Sequence, residues 1–307
     1  MKAALLLALS IFSVQAQARS HELARHTVDR ADGSTISYWL EQGQNRSSEV
    51  VLVMQGTGCE AVSEKPNLHH AANILSPNAR TLLIDKVGVG LEGDATTIDG
   101  CPKAYWDHYT LSLRVEDCLR VIADLRRQPW WNRRIVIFGG SEGGAVAALL
   151  APLVPEAKAV VVLSSGTGVA IGDLIRAAIP PEMAAEAPSV YAAAHKRPTG
   201  DERWAGLSYR WWDDAVDLVP ARSLAQTPAP VLLIHGARDR SSPVETARAG
   251  HTMLRTAGKA NAEYWEFADL DHSMQEAGGT SHMDDVLIQA AKWIRTSRSM
   301  TLPRKQK

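Results

Sequence analysis

Cysteine is scarce in this chain. Its 307 residues include three, Cys59, Cys101 and Cys118. None belongs to a Cys-x-x-Cys pair or a His/Cys cluster, so the sequence offers no ligand set for a metal. A charge excess of one sign is lacking too. The formal net charge is −1, and nothing in that balance draws the whole molecule to nucleic acid or to an anionic membrane. Past the N-terminus no apolar run is long enough to span a bilayer. Internal repeats and low-complexity segments are also missing. What remains is a globular composition, 45% hydrophobic and 22% charged, long enough for one large α/β domain or two small ones. The basic stretch 295–307 reads as a frayed terminus.

The first residues look like an export signal rather than part of the fold. Lys2 supplies the positive end, and Ala3 to Val14 is an apolar run too short to cross a bilayer. Ala16-Gln17-Ala18 offers small residues where a signal peptidase reads them. Residues 1–18 are therefore expected to be a signal peptide, with Ala16 as the alternative cleavage point. The expected destination is the periplasm or the medium. No cysteine at the junction suggests a lipid anchor, so no membrane anchor is expected after cleavage. An oxidising compartment makes a disulfide plausible chemistry. Cys59 and Cys101 lie in polar, glycine-containing loops and are the natural pair. Cys118 shares a helical face with Val121, Ile122 and Leu125, the pattern of a buried core thiol.

Along the mature chain, Asp32-Gly33 separates two alternating stretches, a hairpin signal. Apolar runs then alternate with helical patterns. The runs are 50–55, 81–85, 135–138, 159–163, 231–235 and 263–267. The helical patterns fall near 62–74, 110–128, 142–152, 243–257 and 283–296. Strands apolar throughout, with helices between them, predict a mostly parallel sheet covered on both faces. Residues 168–227 break the rhythm, with five prolines and the aromatics Tyr191, Trp204, Tyr209, Trp211 and Trp212. So long a connection should have structure of its own. It reads as a small, mostly helical cap or lid inserted into a core of 19–167 and 228–307.

The chemistry is expected at Gly139-Gly140-Ser141-Glu142-Gly143. An apolar strand runs into it and an Ala/Leu-rich helix leaves it, the strand–turn–helix context of a nucleophile elbow. Glycines two residues either side of Ser141 let strand and helix backbones crowd together. The competing reading is a glycine-rich turn that only packs closely or holds a phosphate. A dinucleotide fingerprint would stand early in the chain with a different glycine spacing. A serine nucleophile needs a base, and the base an orienting carboxylate. Asp239 follows the apolar run 231–235, and His272 follows 263–267. Both stand at C-terminal strand ends, in the order Ser, Asp, His. Asp269 and Asp271 are too near His272 in the chain to orient its ring well. His235, His251 and His282 have ordinary packing or local roles available, and His69 and His70 follow no strand end. The backbone N–H of Glu142 is one expected oxyanion donor. The other is the N–H of Thr57, in the loop Gly56-Thr57-Gly58, with Gly58 as the alternative.

The stretches "VLVMQGTG", "LLIDKVGVG", "IVIFGGSEGGAVAALLA", "PVLLIHGARDRSSP" and "DLDHSM" together resemble the α/β-hydrolase superfamily of serine esterase and serine-aminopeptidase type. The Asp-Lys-x-Gly-x-Gly loop and the Ser-Glu-Gly-Gly elbow resemble the peptidase-like branch more than the lipases. Gln55 stands where His-Gly is commoner, and the cysteine pair resembles a periplasmic variant. The resemblance implies hydrolysis of a small ester or peptide through an acyl-enzyme, with neither metal nor organic cofactor. An aminopeptidase would need an acidic group for the substrate amine, for which Glu182, Glu186, Asp201 or Glu202 could serve. A non-catalytic binding protein on the same fold is the alternative of another class.

Overall fold

The computed structural model describes residues 23–43, 48–90 and 98–297. The expected signal peptide and its cleavage site lie outside the described residues. The chain opens with the antiparallel hairpin of β1 (Leu23–Asp29) and β2 (Thr35–Glu41). β3 (Val50–Met54), β4 (Arg80–Ile84), β5 (Ile135–Gly140) and β6 (Ala157–Leu163) follow. Two short strands, β7 (Arg203–Trp204) and β8 (Leu207–Ser208), form a ribbon of their own. β9 (Val231–Gly236) and β10 (Ala262–Phe267) complete an eight-stranded sheet of order β1-β2-β4-β3-β5-β6-β9-β10. All its pairings from β4 to β10 are parallel, and the hairpin joins β4 antiparallel.

Period-two alternation divides the sheet's side chains between two apolar layers. Val50, Leu52, Ile135, Ile137, Val160 and Val162 face one layer. There they meet α3 (Leu111–Leu125) and α4 (Glu142–Leu150). Val51, Val53, Val136, Phe138, Val161 and Leu232 face the other. That layer is closed by α1 (Pro66–Leu75) and α10 (Met283–Thr296), through residues such as Leu68, Leu75, Leu287 and Trp293. Each central strand is therefore buried on both sides, as uninterrupted apolar runs require. Thr110 starts α3 by accepting the Leu113 N–H at 3.0 Å, an N-cap that satisfies one orphan donor. α9 (Val244–Thr256) lies between β9 and β10 in the chain and packs on both.

Two features depart from the sequence reading. A six-residue helix, α2 (Lys103–His108), was not expected. It is too short to show a 3.6-residue period, and it is held by burial of Tyr105 and Trp106. Residues 168–227 carry α5 (Ile171–Ala178), α6 (Pro181–Lys196), the β7–β8 ribbon, α7 (Tyr209–Ala215) and α8 (Pro220–Leu224). Tyr191, Trp204, Trp211 and Trp212 pack ring against ring within this segment. α8, however, lies against α4 and α9 and so covers the main sheet. Asp214 of α7 accepts the Ser112 N–H at the start of α3, which moors the segment over the sheet's C-terminal end.

Candidate active site

Strand β5 and helix α4 meet at Ser141, whose backbone is forced to φ 54°, ψ −128°. That region is unfavourable for a side-chain-bearing residue and is tolerated only where the surroundings over-determine it. The surroundings here are tight. An added Cβ at Gly139 would lie 2.1 Å from the Gly143 carbonyl oxygen. One at Gly143 would lie 2.4 Å from the Met54 carbonyl oxygen and 2.8 Å from that of Gln55. The first contact is the strand-on-helix crowding expected from the motif. The second is different: Gly143 brings α4 onto the end of β3, where the loop Gln55-Gly56-Thr57 begins. A Cβ at Gly56 would stand 3.5 Å from the Ser141 Cβ. That loop therefore runs beside the serine. The backbone N–H groups of Thr57 and Glu142 donate to no protein acceptor among the described residues. The latter is one of the free amides at the head of α4.

Asp239 and His272 come together from the loops after β9 and β10. The His272 Nδ1 lies 2.8 Å from the Asp239 Oδ2. The Asp239 carboxylate is fully buried and amply hydrogen-bonded. Its Oδ1 accepts the N–H groups of Ser241 at 2.9 Å and Ser242 at 2.8 Å. His235 places its Nε2 3.2 Å from Oδ2 while also contacting the Ser242 carbonyl at 2.7 Å. Burial alone would push the Asp239 pKa up, but these bonds outweigh it and bring it to about 2. The group is thus an anion throughout the neutral range. Close approach of Gly236 to the Leu270 and Asp271 carbonyls packs the two loops against each other.

The remaining candidates are placed elsewhere. Asp271 caps its own turn, accepting the N–H groups of Ser273 and Gln275 at 2.9 Å. Arg238 reaches the Asp269 backbone carbonyl. His69 pairs with Glu41, His70 with Asp284, and His282 with Glu276. His251 stacks on Tyr264. No group of three or more His, Cys, Asp or Glu that could hold a metal occurs among the described residues. Cys59 and Cys101 are joined, with Cα atoms 5.7 Å apart, and Cys118 is free and buried. The bond ties the loop after β3 to the segment entering α2.

Sequence reasoning missed a polar cluster behind the serine. The Glu142 side chain turns inward and is 6% exposed. Its Oε1 accepts from Lys86 Nζ at 2.9 Å and from the Tyr109 hydroxyl, with Arg114 Nη1 3.8 Å away. Burial opposes the charge on Glu142, yet the two cations together hold its carboxyl below the usual range. A signal was available in the sequence. Arg114 falls on the same buried face of α3 as Cys118 and Val121, where a charge demands a partner. Gln55 resolves its own oddity: its Nε2 donates to the Glu60 carbonyl at 3.1 Å and braces the loop from within.

Ser141, Thr57 and Glu142 line one cavity of about 230 Å³. Ser164, Ser165, Ser241 and Ser242 contribute polar edges. Its apolar wall is Leu111, Ile171, Leu174, Ile175, Leu207 and Trp211, four of them from the segment 168–227 helices α5 and α7. The fold has known counterparts. The sequence matches the alpha/beta hydrolase family over residues 25–290. The chain belongs to that family. No curated protein matches it at a significant level. Among solved structures it is similar to Est1E from Butyrivibrio proteoclasticus, at TM-score 0.60 and 16% identity, covering 88% of this chain and 97% of that one. It is also similar to the Pyrococcus furiosus esterase Pf2001, at TM-score 0.61 and 17% identity, covering 91% and 92%. A third is the Pyrococcus horikoshii acylaminoacyl peptidase, at TM-score 0.61 and 15% identity, where 93% of this chain matches only 43% of that larger one. Identities this low speak for the shared fold.

Proposed function

We propose that this family member is a serine hydrolase that cleaves carboxylic esters of compact, apolar acyl groups through an acyl-enzyme. The observation that carries the reading is the 2.8 Å His272–Asp239 pair on the same sheet end as a strained, cavity-lining serine. In this reading the Ser141 hydroxyl attacks the ester carbonyl and His272 takes its proton through Nε2. Asp239 fixes the tautomer by accepting from Nδ1–H and stabilises the imidazolium. The tetrahedral oxyanion lies between the N–H groups of Thr57 and Glu142, the second at a helix N-terminus where negative charge is favoured. His272 then protonates the leaving alcohol. Water, activated by the same imidazole, releases the acid and restores Ser141.

The cavity wall favours an ester over an N-terminal peptide. A free α-amine needs an available carboxylate beside the serine. Glu182 and Glu186 are exposed on α6, Glu202 pairs with Arg197, and Asp201 faces Lys103. None of the four lines the cavity. Glu142 does line it, but its carboxylate is held by Lys86 and Tyr109. The Cys59–Cys101 bond supports an exported protein, since structural disulfides persist in oxidising compartments. No helix among the described residues is long and apolar enough to cross a membrane. A panel of p-nitrophenyl esters and aminoacyl-anilides tests the assignment. Turnover of short apolar esters with little on the anilides is expected. Preference for the anilides would move the protein to the peptidases, and turnover of neither to the non-catalytic binders.

A further inference from the structure

Lys86 follows β4 and is not part of the acid–base chain described above. Its side chain is completely buried. Burying an ammonium is costly unless charge and hydrogen bonds compensate it, and here the compensation has a direction. The Nζ donates to the Gly56 carbonyl at 2.7 Å and to the Glu142 Oε1 at 2.9 Å, and lies 4.6 Å from the centre of the Tyr109 ring. Arg114 does the same one residue earlier, donating Nη1 to the Gln55 carbonyl at 2.8 Å. Two successive carbonyls of the loop beside Ser141 are thus gripped by two buried basic side chains, both gathered on the carboxylate of the residue that follows Ser141, although burial brings the Lys86 pKa down to about 7.

The Gly56 carbonyl and the Thr57 N–H belong to one peptide group. That group is planar and trans, so its C=O and N–H point to opposite sides. Whatever fixes the carbonyl therefore aims the N–H. We propose that Lys86 is a positioning residue that aims the Thr57 N–H at the oxyanion, with Glu142 coupling this donor to its own. The ammonium on the carbonyl also polarises the shared peptide and strengthens its N–H as a donor. A preorganised donor contributes because it need not reorient as charge develops, and removing one outright typically costs about a hundredfold or more in kcat. Loosening one should cost less, about tenfold. The inference rests on the proposed hydrolase reading.

The test compares the parent with Lys86→Met, which keeps the volume and removes the donor. With a p-nitrophenyl ester, kcat should fall about tenfold or more while KM stays within about twofold. A boronic acid that forms a tetrahedral adduct should weaken in proportion to kcat, and the free product acid should bind as before. A structural defect alone would weaken both ligands together. Should Lys86→Met fail to fold, Glu142→Gln keeps every backbone N–H and removes the charge that anchors Lys86. It should lower kcat by about threefold or more at constant KM. Unchanged kcat in the variants, or a loss shared equally by boronate and product acid, overturns the proposal. Labelling by a fluorophosphonate separates the two levels. A parent that is not labelled at Ser141 overturns the hydrolase reading and this inference with it. A labelled parent whose Lys86→Met variant labels at the same rate overturns this inference alone.

Discussion

A buried carboxylate that gathers two backbone N–H groups and two imidazoles stays ionised at neutral pH, and consequences follow at single residues. Asp239→Asn would reverse the polarity of the contact to His272 and favour the wrong tautomer. We expect kcat to fall by about three to four orders of magnitude, as tautomer loss does in such triads. Asp271→Asn, which disturbs only a turn, should change kcat little; the two variants assayed side by side decide between the carboxylates. The depressed Asp239 pKa also sets a stability window. A lowered folded-state pKa gives stability that is complete above the unfolded value of about 4 and is lost as pH falls through about 2. Thermal melts of the parent and Asp239→Asn should therefore converge only in that acid range, and a gap that closes already near neutrality would speak against the pairing. At this scale the His272–Asp239 contact and the strained corner at Ser141 were legible because each of the three residues follows an apolar run. Lys86 and Tyr109 were not, because their meaning arises only when β4, α3 and the elbow meet; Arg114, a charge on a buried helix face, signalled only that some partner was needed.

Between elements, the Cys59–Cys101 bond holds the loop after β3 to the approach to α2, where Trp106 Nε1 also donates to the Cys101 carbonyl at 3.0 Å. Closing a loop of 42 residues stabilises by about 4 kcal/mol in the chain-entropy picture. Cys101→Ser, or reduction, should lower Tm. It should also lower kcat more than it raises KM, because the loop that carries Thr57 loses rigidity in the transition state rather than in the bound substrate. Cys118 behaves differently: burial pushes its thiol up to about 12, so little reactive thiolate exists at neutral pH. The folded, unreduced protein should resist a thiol reagent, and the denatured, unreduced protein should release one thiol. Three thiols would contradict the pairing. The cysteine pair could be read from the sequence because Cys59 and Cys101 lie in polar, glycine-containing loops while Cys118 shares an apolar helical face. The partner of Gly143 could not, since the contact with the end of β3 depends on how α4 lies across the sheet.

On the scale of the whole molecule, the sheet supplies rigid strand ends and residues 171–215 supply an apolar wall over them. The alternation of strands and helices, the mostly parallel pairing and the two-faced burial were legible in the apolar runs, whereas the order of strands in the sheet was not. Where the wall would fall was not, because the aromatics of this segment pack mainly on one another and α8 turns back to cover the sheet. Leu174 forms part of the wall of the cavity of about 230 Å³ that Ser141 lines, so a larger side chain there would narrow it. Leu174→Trp should therefore leave acetate esters active while cutting kcat/KM for longer acyl esters about tenfold or more; an equal change for both would place the acyl group elsewhere. Whether Ser141 is the nucleophile of an acyl-enzyme is decided by intact-mass spectrometry after fluorophosphonate treatment, followed by peptide mapping. A single adduct on Ser141 is expected in the parent, and neither adduct nor ester turnover in a normally folded Ser141→Ala. An adduct on another residue, or Ser141→Ala retaining more than a few per cent of the parent's turnover, would contradict it.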